Sequence, residues 1–155
     1  INAIRSLKSL IFFTVLILTN CVFTPDVWMS ISKGNSKGTG FRMESNNVYI
    51  SMTFVNDSSI DADWLEPEIA FQFGSNESSV TAYVRDVSGG GINFPLKPGG
   101  ETEYNGVFKD SDFGFVNQSF SNLTFVRFAG IDFFNYKYSK DSLGYISEYR
   151  ILYQK

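Results

Sequence analysis

The stretch NVYISMTFVNDSS, Asn47 to Ser59, decides how the rest of the chain is read. Val48, Ile50, Met52 and Phe54 alternate with Tyr49, Ser51, Thr53 and Val55. A period of two puts one set on each face of a β-strand. β-Branched and aromatic side chains suit the pleated, half-buried surface of a sheet, and the run is rich in them. Asn56-Asp57-Ser58-Ser59 then ends it with short polar side chains that bond the local backbone and turn the chain.

The same signature recurs outward from this strand. IAFQF (69–73) and VTAYVR (80–85), separated by GSNESS, predict a hairpin with a longer loop. In INFPLKPGGETEYNGVF, Pro95 and Pro98 lack the N–H that a central strand needs, which keeps that segment off a central strand. Phe113 to Phe134 predicts one or two further strands around the turn NQSFSN, and Tyr145 to Tyr153 predicts a last one. In that last strand Tyr145, Ser147, Tyr149, Ile151 and Tyr153 share a face. Upstream, VFTPDVWMSISK leads into the Gly-rich loop GNSKGTG (34–40). Roughly seven to nine short strands divided by turns predict an all-β fold, an antiparallel β-sandwich. At 155 residues, with 16 Phe and 8 Tyr, the chain suits one domain with a real core.

Charge and composition narrow the function. The net charge is −3, and removing residues 1–20 takes Arg5 and Lys8 with it, leaving −5. An acidic domain with no basic stripe is a poor match for nucleic acid, whose affinity comes from neutralised phosphates. The chain has no histidine, which removes Ser-His-Asp and Cys-His catalysis and imidazole-bound zinc. Its single cysteine excludes an internal disulfide. Binding is therefore read ahead of catalysis.

That cysteine, Cys21, stands where an apolar run stops. Arg5 and Lys8 precede LIFFTVLIL (Leu10 to Leu18), nine apolar or neutral residues, short of the ~20 that span a bilayer. A basic start, a short apolar run predicted as a helix, and then Leu18-Thr19-Asn20-Cys21 resemble the signal peptide and lipobox of a bacterial lipoprotein. The resemblance implies cleavage before Cys21 and a lipid on its thiol, with residues 1–20 as signal peptide and 21–26 as tether. The domain would then be 27–155, and the address the bacterial cell envelope, lipid-anchored. Asn20 departs from the small residue usual before the cysteine. Ordinary secretion, or a retained N-terminal helix, are the alternatives.

A second resemblance lies further on. A strand ending in TFVNDS, followed some forty residues later by PLKPGGETEY, is similar to immunoglobulin-like accessory domains of bacterial surface proteins. It implies an immunoglobulin-like sandwich in which the Pro-Gly turn leads an edge strand across to the other sheet.

Candidate ligand residues cluster in DSSIDADWLEPE, which holds Asp57, Asp61, Asp63, Glu66 and Glu68. Close-set acids can supply the roughly six to eight oxygens that Ca²⁺ prefers, although EF-hand spacing and its glycine are absent. The plain alternative is a solvated acidic connection. Trp64 in the same loop could stack on a sugar ring, with Asp61, Asp63 and Glu66 accepting hydroxyl hydrogen bonds, or could fold down over one end of the sandwich. KDSD (109–112) is a second acidic turn; glycosidase chemistry would need a carboxyl pair at a set separation. SGGG (88–91) lacks the Lys-Ser/Thr of a phosphate loop. Asn-x-Ser/Thr sequons stand at Asn56, Asn76, Asn117 and Asn122 and would suit a secreted eukaryotic glycoprotein. The tail from Phe128 to Tyr153 could leave a Tyr/Phe patch for a partner or a glycan.

Together these features predict a membrane-tethered binding or adhesion module for a protein or glycan. It would be held by lipid on Cys21, need no cofactor beyond a Ca²⁺ at the acidic loop, and bind no nucleic acid. The alternatives are a filament or envelope subunit that keeps its apolar helix, a secreted glycoprotein, and a carboxylate-based glycan hydrolase.

Overall fold

The computed structural model describes residues 29–31, 40–74, 79–87 and 92–155. The expected N-terminal helix, Cys21 and its lipobox, Asn76, and SGGG lie outside the described residues. Within them the chain is all-β, with two antiparallel sheets.

The first sheet is centred on β3 (Asn47–Asn56), the strand read most directly from sequence. β6 (Glu101–Lys109) pairs along one side of it. On the other side β2 (Gly40–Glu44) pairs with its beginning and β1 (Met29–Ile31) with its end. The second sheet runs β5 (Val80–Arg85), β4 (Trp64–Phe73), β7 (Leu123–Phe134), β8 (Gly144–Gln154). The chain changes sheet from β3 to β4, from β5 to β6 and from β6 to β7.

Inward faces of the two sheets share one core. Val48, Ile50, Met52 and Phe54 of β3 are all at 1% exposure or less. Phe54 meets Phe128 of β7 with ring centres 5.6 Å apart, and Phe71 of β4 meets Phe108 of β6 at 5.0 Å. Phe41 of β2 stacks on Tyr153 of β8 at 4.6 Å and joins the sheets along one side. Each buried aromatic removes a large apolar area from water, the main term favouring the fold.

Asn56 joins the two segments that carried the immunoglobulin-like resemblance. It is wholly buried; its Nδ2 donates to the carbonyls of Ile60 (2.9 Å) and Leu96 (2.8 Å), and its Oδ1 accepts from the Ser58 hydroxyl (2.6 Å). Its backbone exchanges bonds with Gly99 and Gly100. Gly99 has φ +72°, a left-handed turn conformation in which glycine carries no steric penalty.

Three local expectations are corrected. Trp64, Glu66 and Glu68 are not in a loop: β4 begins at Trp64. Pro67 is accommodated because β5 pairs only as far back as Glu68, so no strand N–H bond is lost there, and the Pro67 carbonyl accepts from Asp86 N at 3.0 Å. Phe113 to Val116 is not strand either. Asp110–Val116 forms a 3-10 helix in which the Asp112 carboxylate accepts from Lys109 N at 2.8 Å, and β7 starts only at Leu123. Finally, Tyr153 does not share a face with Tyr145. Register shifts between β7 and β8 turn it inward, so it packs on the core with Leu152 while Tyr145, Ser147 and Ile151 stay exposed.

Candidate functional site on the outer face of the second sheet

Alternation along β4 sends Leu65, Ile69, Phe71 and Phe73 inward and leaves Trp64, Glu66 and Glu68 on the outer face. Cross-strand register brings other polar residues beside them: Glu68 lies opposite Arg85 of β5 and Gly130 of β7, and Asp132 of β7 opposite Glu66 and Tyr145. Four strands thus build one polar and aromatic surface.

Its centre is an ion-pair network. Arg85 Nε lies 3.0 Å from Glu68 Oε2, and its Nη1 lies 2.7 Å from Asp132 Oδ2. Tyr145 Oη donates to Glu68 Oε1 at 3.0 Å, and Ser142 Oγ donates to Asp132 Oδ1 at 3.1 Å. Asp132 is only 6% exposed, and a buried carboxylate persists when it is paired and hydrogen-bonded in this way. The hydrogen bond to Glu68, then the charge of Asp132, raises the Arg85 pKa further. Burial, then the bond to Glu68, pushes the Tyr145 hydroxyl up to about 12, so it remains a donor at neutral pH. Beside this network Arg127 donates to Tyr83 Oη at 3.1 Å and lies over its ring at 5.7 Å. Tyr83 and Tyr145 keep 55% and 44% of their surface exposed.

The residues picked from sequence divide between two places. Trp64 and Glu66 belong to this outer face, where half-buried Trp64 packs on Phe94 with ring centres 4.9 Å apart. Asp61 and Asp63 sit beyond its end. Asp61 pairs with Lys97 at 2.6 Å, and Asp63 accepts from Tyr136 N at 2.9 Å. Among the described residues no three Asp, Glu, Cys or His side chains come together to hold a metal ion, so Ca²⁺ finds no ready cage at the acidic segment. Sequence reasoning reached Tyr145 only as part of an aromatic tail and missed its partners Arg85 and Asp132, because no motif links them. Their partnership comes from register across the sheet.

Elsewhere, a groove of about 310 Å³ crosses the outer face of the first sheet, where Arg42 lies 4.5 Å from the ring centre of Tyr49. Asn117 and Asn122 are exposed, whereas the Asn56 amide is buried and fully bonded. Among the described residues no helix is long and apolar enough to cross a membrane. No family model matches the chain, and neither a curated protein nor a solved structure shows significant similarity to it.

Proposed function

We propose that this chain is a lipid-tethered binding or adhesion module of a bacterial cell envelope. In this reading residues 1–20 are a signal peptide, Cys21 carries the lipid, 21–26 form the tether, and the domain that follows recognises a protein or glycan through the outer face of its second sheet. The observation that carries the recognition half is that face itself. It presents two half-open tyrosines, each oriented by a hydrogen bond from or to a charged neighbour, a preorganised arrangement suited to contact rather than to chemistry. The tether half rests on Leu18-Thr19-Asn20-Cys21 behind its short apolar run.

The domain type we infer is immunoglobulin-like. Support comes from the strand order, in which β3 pairs with β6 in one sheet while β4 pairs with β7 and β7 with β8 in the other. A second reading, a subunit of an envelope assembly, draws on β6. Among the described residues it pairs with β3 alone, leaving a nine-residue edge beside a cleft of about 350 Å³ that another strand could extend.

Intact mass of the protein from its membrane fraction, beside a Cys21→Ser variant, tests the tether. The expected result is a chain starting at Cys21 with added acyl mass that the variant lacks. An unmodified chain still carrying residues 1–20 would sink the lipoprotein reading and favour the assembly subunit.

A further inference from the structure

We infer that the ligand of the outer face is a neutral, hydroxyl-rich glycan seated on the ring of Tyr145, with Tyr83 as a second contact; this rests on the binding reading above. Tyr145 starts on β8, and its phenol crosses β7 directly over Gly130. A Cβ at Gly130 would stand 2.4 Å from both Cζ and Oη, so only glycine lets the side chain lie along the sheet and reach Glu68 on β4. The ring is held by its own strand at one end and by Glu68 at the other, yet 44% of the residue stays open. A ring fixed before binding loses little rotamer freedom when a ligand arrives.

A sugar ring brings two things such a surface can use, an apolar C–H side and a fringe of hydroxyls that both donate and accept. The Tyr145 ring offers apolar area for the first. For the second, the Arg85 guanidinium, half exposed at its side chain, supplies donors, and the carboxylate of Glu66 supplies acceptors beside it. Charge separates the classes of partner. Arg85 is balanced within the protein by Glu68 and Asp132, and Arg127 is the second cation on a face that also bears Glu66. Among the described residues no row of one sign is left on this face to steer a polyanion or a polycation. An uncharged polyol is the complement of such a surface. Tyr83 reaches from β5 to Arg127 of β7, and the Tyr145 phenol lies over Gly130 of that strand, three residues on and roughly 10 Å along it, which suits an oligosaccharide rather than a single sugar.

The test displays the full chain on cells and measures retention on beads coated with β-glucan, mannan or chitin, and in parallel with collagen or fibrinogen. Retention on a neutral polysaccharide is expected. It should fall about tenfold or more in Tyr145→Ala, fall less in Tyr83→Ala, and stay within about threefold in Tyr145→Phe and in Tyr49→Ala on the other sheet. Thermal melts confirm that each variant folds; should Tyr145→Ala fail to fold, Tyr83→Ala carries the test alone. Polysaccharide retention indifferent to both alanine variants overturns the site. Retention on the proteins alone, or clumping of the displaying cells with one another, overturns the glycan while leaving a binding module. Retention on nothing overturns both.

Discussion

Asn56 holds two stretches of chain together with one side chain, and replacing it tests how much the domain depends on that tie. Asn56→Ala would take one of two donors from each of the carbonyls of Ile60 and Leu96, which keep Ser58 Oγ and Ala62 N at 2.9 Å, and would remove an acceptor of the Ser58 hydroxyl, all in a buried setting. A loss of about 3 kcal/mol is expected, seen as a drop of roughly 10 °C in the thermal midpoint. A drop of a degree or two would mean water replaces the amide at little cost. Tyr104 offers a second test through pH. It is fully buried and donates to Asp86 Oδ2 at 2.8 Å; burial, then the charge of Asp86 and that bond, raises its pKa far beyond the ordinary 10.0. The native state therefore holds this proton more tightly than the unfolded chain does. Its contribution is intact below pH 10 and shrinks as pH rises above it. Thermal midpoints taken from pH 9 to 11.5 should fall on the alkaline side for the wild type and less steeply for Tyr104→Phe; parallel curves would refute this. At this scale the sequence shows faces but not partners. The period of two puts Val48, Ile50, Met52 and Phe54 on one face, yet nothing in it pairs Asn56 with Leu96 or Tyr104 with Asp86.

Elements were legible where period and turn signals agreed. β3 and the β4–β5 hairpin follow directly from their alternation and the loop between them. The start of β4 was hidden because acidic residues and Pro67 look like a connection, and only the end of β5 beside Pro67 makes the proline tolerable. The face of Tyr153 was hidden by register shifts, which alternation cannot foresee. The second half of the 3-10 segment, Phe113 to Val116, reads as strand from its phenylalanines, although Phe113 and Phe115 have opposite fates. Phe113 is fully buried, touching Phe71 and Phe73 with ring centres at 4.7 and 5.3 Å, while Phe115 is 70% exposed. Phe113→Ala should cost about 3–5 kcal/mol and Phe115→Ala under about 0.5 kcal/mol, measured by chemical denaturation. Similar losses at the two positions would place this segment differently on the core.

For the molecule as a whole, one core shared by both sheets implies one unfolding transition. Only two tryptophans are present, so Trp28→Phe leaves Trp64 as the reporter for the outer face. Its fluorescence and the far-ultraviolet signal should trace the same curve in urea; separated midpoints would mean that the second sheet loosens on its own. The candidate site belongs to this scale too. Trp64 and Glu66 were visible as chemistry-bearing residues, but the surface they join draws on β5, β7 and β8, which only the folded sheet assembles. The same order of strands bears on how the domain is made. β4 sits between β5 and β7, and Phe54 of β3 is covered by Phe128, so the first hundred residues cannot shut their apolar side from water until β7 has arrived. A chain threaded through a membrane with β1 leading would stay open until β7 emerged. It would pass a narrow translocation channel readily, need a holding chaperone on the far side, and collapse to its final shape in one late step.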